Sequence, residues 1–69
     1  MDRSIDYVIA VAECKSISQA AEMLYISQPS LSRYLSNLEN ELGVNLFVRT
    51  LNGTELTAAG KIYLEYAKE

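Results

Sequence analysis

Leucine recurs at Leu31, Leu35, Leu38 and Leu42, a spacing of i, i+4, i+7 and i+11. That period puts all four side chains on one side of an α-helix. Pro29 stands just ahead of the run and Gly43 just behind it. Proline suits a first turn, whose N–H has no partner inside the helix, and glycine supplies the left-handed residue that ends one. The pattern predicts a helix over residues 29–42 with the leucines as core and Pro29, Ser30, Arg33, Ser36, Asn37 and Asn40 turned outward. That outward face is unusual. The chain has a formal net charge of −3, yet residues 27–38 contain Arg33 and no acid.

Other segments supply partners for the leucine face. Ile5, Val8, Ile9 and Ala12 recur at helical spacing and predict a buried stripe on a helix over residues 3–14, with Asp2 placed to cap it. Ser18 is placed to cap a short helix over residues 19–24. Ala20, Ala21 and Leu24 give that helix a small-residue face, which allows close approach. After Gly43 the period changes. "VNLFVRT", the turn "LNG" and "TELT" predict a hairpin of residues 46–50 against 54–56, with Asn52-Gly53 as a turn whose residues both accept positive φ. Thr57 is placed to cap a fourth helix over residues 58–69, with Ala59, Ile62, Tyr63 and Tyr66 on one stripe. No stop signal closes this helix, so the expectation is one cut off partway.

Several function classes fall away. The 69 residues suffice for one domain, residues 1–69, and no apolar run is long enough to cross a bilayer. The N-terminus lacks the basic start of a secretory signal, so a cytoplasmic location is expected, with no membrane partner. Cys14 is the only cysteine and histidine is absent, which excludes an internal disulfide and a Cys/His zinc site. Cys14 reads as a small apolar side chain near the end of the first helix. Ser30 and Ser32 have no histidine to activate them, and there is no glycine-rich phosphate loop, so the chain does not read as an enzyme. No metal or cofactor is implied. Glu39 and Glu41 read as solvated, with Glu39 able to orient a nearby cation.

Two helices joined by a short break, the second with a polar outer face, and then a hairpin make a winged helix-turn-helix. The expected fold is mostly α: a three-helix core, a two-stranded β-hairpin wing and the start of a linker or dimerisation helix. A helix of this kind fits the major groove of DNA with its first turn toward base edges. Arg33 could donate two hydrogen bonds to guanine O6 and N7. Hydroxyls and helix N-termini can hold phosphates with few lysines. A polar face with one strong cation therefore suits base reading. From spacing alone Arg33 could equally be an ordinary surface arginine. The acidic balance leaves a protein-interaction module without DNA binding as the alternative. Tyr63 and Tyr66 read as dimer or core packing.

The motifs "AAEML", "SQPSLSR", "LENELGVNLFVRT" and "LTAAG" stand in order within residues 16–60. This stretch closely resembles the DNA-binding domain of LysR-type transcriptional regulators. The resemblance implies a bacterial regulator that binds double-stranded promoter DNA as a dimer or tetramer. Gln28, Pro29, Ser30 and Arg33 would then meet bases and Ser32 a phosphate. Ser16 and Ser18, at the start of the second helix, would contact phosphate. The wing residues Arg49, Asn52, Gly53 and Thr54 would lie along the adjacent minor groove. The fourth helix, through Ile62, Tyr63 and Tyr66, would belong to the dimer contact. In that family a separate domain senses the small-molecule effector, so none is expected to bind here. Three features depart from the family pattern. Tyr34 stands where a polar residue is common, with its ring at the edge of the inward face, either packed or against DNA. Val48 stands where an acid is common. The wing includes Glu55 and lacks a second basic residue.

Overall fold

The computed structural model describes residues 3–67. The elements are α1 (Ser4–Cys14), α2 (Ile17–Leu24), α3 (Gln28–Leu42), β1 (Phe47–Thr50), β2 (Gly53–Leu56) and α4 (Ala58–Ala67). Each boundary has a chemical cause. Ser16 caps α2 by accepting the Gln19 N–H at 3.1 Å. Ser27 caps α3 by accepting the Ser30 N–H at 3.2 Å. Thr57 caps α4 by accepting the Gly60 N–H at 3.0 Å. A residue in the left-handed region closes each of the first three helices: Lys15 at φ 55°, Tyr25 at φ 59° and Gly43 at φ 75°. At Tyr25 two bonds are made together, Tyr25 N–H to Glu22 O and Ile26 N–H to Ala21 O. This is the Schellman pattern, and it makes the turn between α2 and α3.

Two caps differ from expectation. Asp2 lies outside the described residues, and Arg3, which precedes α1, makes no side-chain cap hydrogen bond. Ser18 does not cap α2. The helix begins two residues earlier than expected, and the capping hydroxyl belongs to Ser16. Likewise α3 begins at Gln28, with Pro29 as its second residue.

The core is Val8, Ala10, Val11, Ala20, Ala21, Leu31, Leu35 and Leu46. On α1 the buried positions are Ser4, Val8, Ala10 and Val11, whereas Ile5, Ile9 and Ala12 are only half-buried. The side of α1 that carries Ser4 and Tyr7 meets Tyr34. Its hydroxyl lies 2.7 Å from Ser4 Oγ, and its ring meets Tyr7 edge-on with centroids 4.7 Å apart. A hydrogen-bonded serine can be buried at little cost, and the tyrosine pair adds packing. Tyr34 is therefore a packing residue. Of the leucine stripe, Leu31 and Leu35 are buried and Leu38 is half-buried, but Leu42 is 45% exposed. The last turn of α3 runs beyond the core. Cys14 packs against the core, with its Sγ 3.2 Å from Met23 Sδ.

The strands pair antiparallel, Phe47 with Leu56 through Thr50 with Gly53. The loop is Leu51-Asn52, and Gly53 alone of the wing takes positive φ, at 114°. The glycine is required twice, by this backbone conformation and by a close contact. A Cβ there would lie 2.5 Å from the Lys15 carbonyl oxygen, which accepts the Thr54 N–H at 3.0 Å. In α4 the buried position is Gly60, with Tyr63 and Leu64 packed against the core. Ile62 and Tyr66, expected on the same stripe as Tyr63, are 54% and 75% exposed.

Gly60 rests against the Leu46 carbonyl, so a side chain there would collide with main chain that cannot swing aside. Gly60→Ala is expected to destabilise the fold by about 1–3 kcal/mol, read from the urea midpoint. An unchanged midpoint would show that α4 can shift away.

Candidate nucleic-acid interface

The expected base-reading residues sit on the first two turns of α3, at Gln28, Pro29, Ser30 and Arg33, and all four are exposed. Their placement follows from the caps. The Ser27 hydroxyl donates to Ser30 Oγ at 2.8 Å while accepting the Ser30 N–H. The Ser30 hydroxyl hydrogen is then left to donate outward. Proline at the second position removes one N–H that the first turn could not have satisfied internally. Arg33 stands one turn further on with Ser36 and Asn37, also exposed.

Six of the remaining candidates, Ser16, Ser18, Ser32, Arg49, Gly53 and Thr54, line two grooves that share Arg49. One groove between α2, α3 and the wing is lined by Ser16, Ser18, Gln28, Arg49, Gly53 and Thr54. A second, between α3 and the hairpin, adds Ser32 and Ser36, again beside Arg49 and Thr54. Arg49 is thus shared by both grooves. Asn52 is exposed at the tip of the hairpin and lines neither. Ile62 and Tyr66 lie on α4 and also line neither.

The acids are handled locally. Arg49 pairs in register with Thr54, and Val48 pairs with Glu55. Alternation along a strand therefore puts Glu55 on the opposite face of the hairpin from Arg49. There it approaches Lys15 Nζ at 4.0 Å, an exposed ion pair that adds little to stability. Glu39 is not a solvated acid. Its Oε2 accepts the Leu46 N–H at 2.7 Å and the Phe47 N–H at 3.2 Å, which ties α3 to the base of the wing. Sequence periodicity missed this role, because the pair is a side chain and a main chain seven and eight residues apart in different elements. It also missed the Lys15 carbonyl as the anchor of the wing at Thr54. A serine directly ahead of Gln28-Pro29 was the available signal for the true cap of α3. Among the described residues, no group of three histidine, cysteine, aspartate or glutamate side chains converges to hold a metal ion.

The fold is a winged helix-turn-helix. The sequence model of the bacterial regulatory helix-turn-helix proteins of the lysR family matches residues 3–61. The chain belongs to this family. It is 46% identical over 67 residues to the HTH-type transcriptional regulator TfdT of Cupriavidus pinatubonensis, covering 97% of this chain and 29% of that protein. It is 53% identical over 66 residues to the HTH-type transcriptional regulator ClcR of Pseudomonas putida, covering 96% of this chain and 22% of that protein. The chain thus spans less than a third of the length of these regulators. Among solved structures, the complex of the CbnR DNA-binding domain with DNA is similar, with a TM-score of 0.86 and 46% identity over 99% of this chain and 79% of that one. The complex of the BenM DNA-binding domain with benA site 1 DNA is similar too, with a TM-score of 0.88 and 40% identity over 99% of this chain and 80% of that one.

Glu39→Ala would leave two main-chain N–H groups at the base of the wing without their acceptor. The expected loss is about 1–3 kcal/mol of stability, with faster amide hydrogen exchange at Leu46 and Phe47. Unchanged exchange at those two amides would show that water replaces the carboxylate without penalty.

Proposed function

We propose that this chain binds double-stranded promoter DNA sequence-specifically, as the DNA-binding part of a LysR-type transcriptional regulator. The observation that carries the reading is the acid-free face at the start of α3. Gln28, Pro29, Ser30 and Arg33 are exposed together there, with Arg49 and the first turn of α2 beside them. The Glu39 carboxylate is engaged by the Leu46 and Phe47 N–H groups, and Glu55 is held on the far side of the wing. The similarity to two DNA-bound domains supports the same conclusion.

In this reading α3 enters the major groove. Gln28, Pro29, Ser30 and Arg33 meet base edges, and Ser32 faces a phosphate. Ser16, Ser18 and the first N–H groups of α2 face the backbone, where a helix N-terminus favours an anion. Arg49, Asn52, Gly53 and Thr54 follow the adjacent minor groove. Residues 1–69 act as one unit, with α4 as the beginning of a linker helix. Ile62 and Tyr66, helped by Tyr63, form the contact with a second copy in the intact dimer or tetramer. The chain works by binding rather than catalysis, uses no cofactor and holds no effector. Its place is the bacterial cytoplasm, at the nucleoid, in keeping with the lack of any helix long and apolar enough to cross a membrane among the described residues.

A duplex selected from a random pool, compared with a scrambled duplex by fluorescence anisotropy across a salt series, tests the reading. Log affinity should fall linearly with log salt. Arg33→Ala should lose about 1–3 kcal/mol of preference for the selected duplex while keeping its weak binding to the scrambled one. A pool that yields no enriched sequence, with no binding even at low salt, would instead favour a protein partner for this face.

The α4 helix is about three turns long, marginal for pairing alone. At micromolar concentration the 69-residue chain is expected to sediment as a monomer. A tight dimer would show that the described part of α4 suffices for association.

A further inference from the structure

Gln28 is held by a partner outside its own helix. The Ser18 hydroxyl, on the first turn of α2, donates to Gln28 Oε1 at 2.9 Å. Both side chains are exposed, and both line the groove that also holds Arg49. The consequence lies in what each end of the carboxamide can still do. A glutamine reads adenine through both ends at once, with Oε1 accepting from N6 and Nε2 donating to N7. Here Oε1 is turned toward α2 and one of its lone pairs is occupied. The end left to face a ligand is the NH2 group, which carries two donors and no acceptor.

We propose that Ser18 is a positioning residue that converts Gln28 from an adenine reader into a donor-only reader, directed to the paired O6 and N7 acceptors of guanine. This rests on the DNA-binding reading given above. Guanine is the base whose major-groove edge offers two adjacent acceptors, so it matches two donors, whereas adenine presents an N6 donor that would meet another donor. The arrangement also changes what Ser18 itself can give. Its hydroxyl hydrogen is committed to Gln28, so its contact with the DNA backbone runs through the main-chain N–H, and the hydroxyl serves specificity.

Ser18 is the second residue of α2, and the capping hydroxyl belongs to Ser16. Ser18→Ala therefore leaves the cap intact, and thermal unfolding would confirm an intact fold. The test is enrichment from a randomised duplex pool by wild type, Ser18→Ala and Ser18→Thr, each as the full 69-residue chain. Wild type should enrich guanine at one position of the site. Ser18→Ala should shift that single position toward adenine by about fivefold or more, with the other positions unchanged. Ser18→Thr, which restores the hydroxyl, should restore guanine. A merely structural role would weaken every position alike and would overturn the proposal. It would also be overturned if wild type already selects adenine at every position that Gln28→Ala relaxes, or if Ser18→Ala selects the same bases as wild type. Those results leave DNA binding standing. If wild type enriches nothing, the DNA-binding reading falls and this inference falls with it.

Discussion

Asn45 and Leu46, between α3 and β1, hold the molecule together. Leu46 has no exposed surface, and all of its main-chain polar groups are spoken for. Its N–H goes to Glu39 on α3, and its carbonyl accepts the Thr57 N–H at 2.9 Å at the start of α4. The Thr57 hydroxyl reaches back to the Asn45 carbonyl at 2.6 Å, and Gly60 lies against the Leu46 carbonyl from the other side. A chain of this length buries little surface, so few contacts decide its stability. Here a single short stretch fixes the wing to α3 and α4 to both. Leu46 supplies the apolar anchor, and the polar bonds around it set the angles.

That knot explains why the face of α3 stays clear. The leucines Leu31 and Leu35 hold the inner side down, and the Glu39 carboxylate is engaged by two main-chain N–H groups at the wing base. The wing acid Glu55 is placed by strand alternation on the side away from Arg49. A chain that is acidic in sum can thus present a locally acid-free surface, because charge distribution and net charge are separate properties.

Much of this was legible in the sequence. The leucine period, Pro29 and Gly43 placed α3 to within a residue, and Thr57 was correctly read as the cap of α4. The hairpin was correctly located too. What periodicity could not carry was any side chain satisfied at long range. Ser4 is buried where it meets Tyr34, thirty positions away, while Ile5, Ile9 and Ala12, expected in the core, are only half-buried. Leu42 continued the stripe on α3 but had nothing opposite it. The positive φ expected at Gly53 is there, but the loop sits one residue earlier, at Leu51-Asn52, and the Lys15 carbonyl against Gly53 was not legible. The candidate site was read through the family resemblance more than through spacing. The Ser18 to Gln28 bond lies between two helices and was invisible to both.

The bond from the Thr54 N–H to the Lys15 carbonyl has a mechanical meaning. It hangs the wing from the corner between α1 and α2, on main chain rather than on a pliable side chain. The first turn of α2 and the hairpin are therefore two jaws of one caliper with a preset opening. In the proposed DNA-binding reading, a duplex whose grooves match that opening would be gripped without distortion, and one that does not would have to bend or change width to fit. A single main-chain corner would then let a small domain discriminate by the stiffness of DNA at base pairs that no side chain reaches.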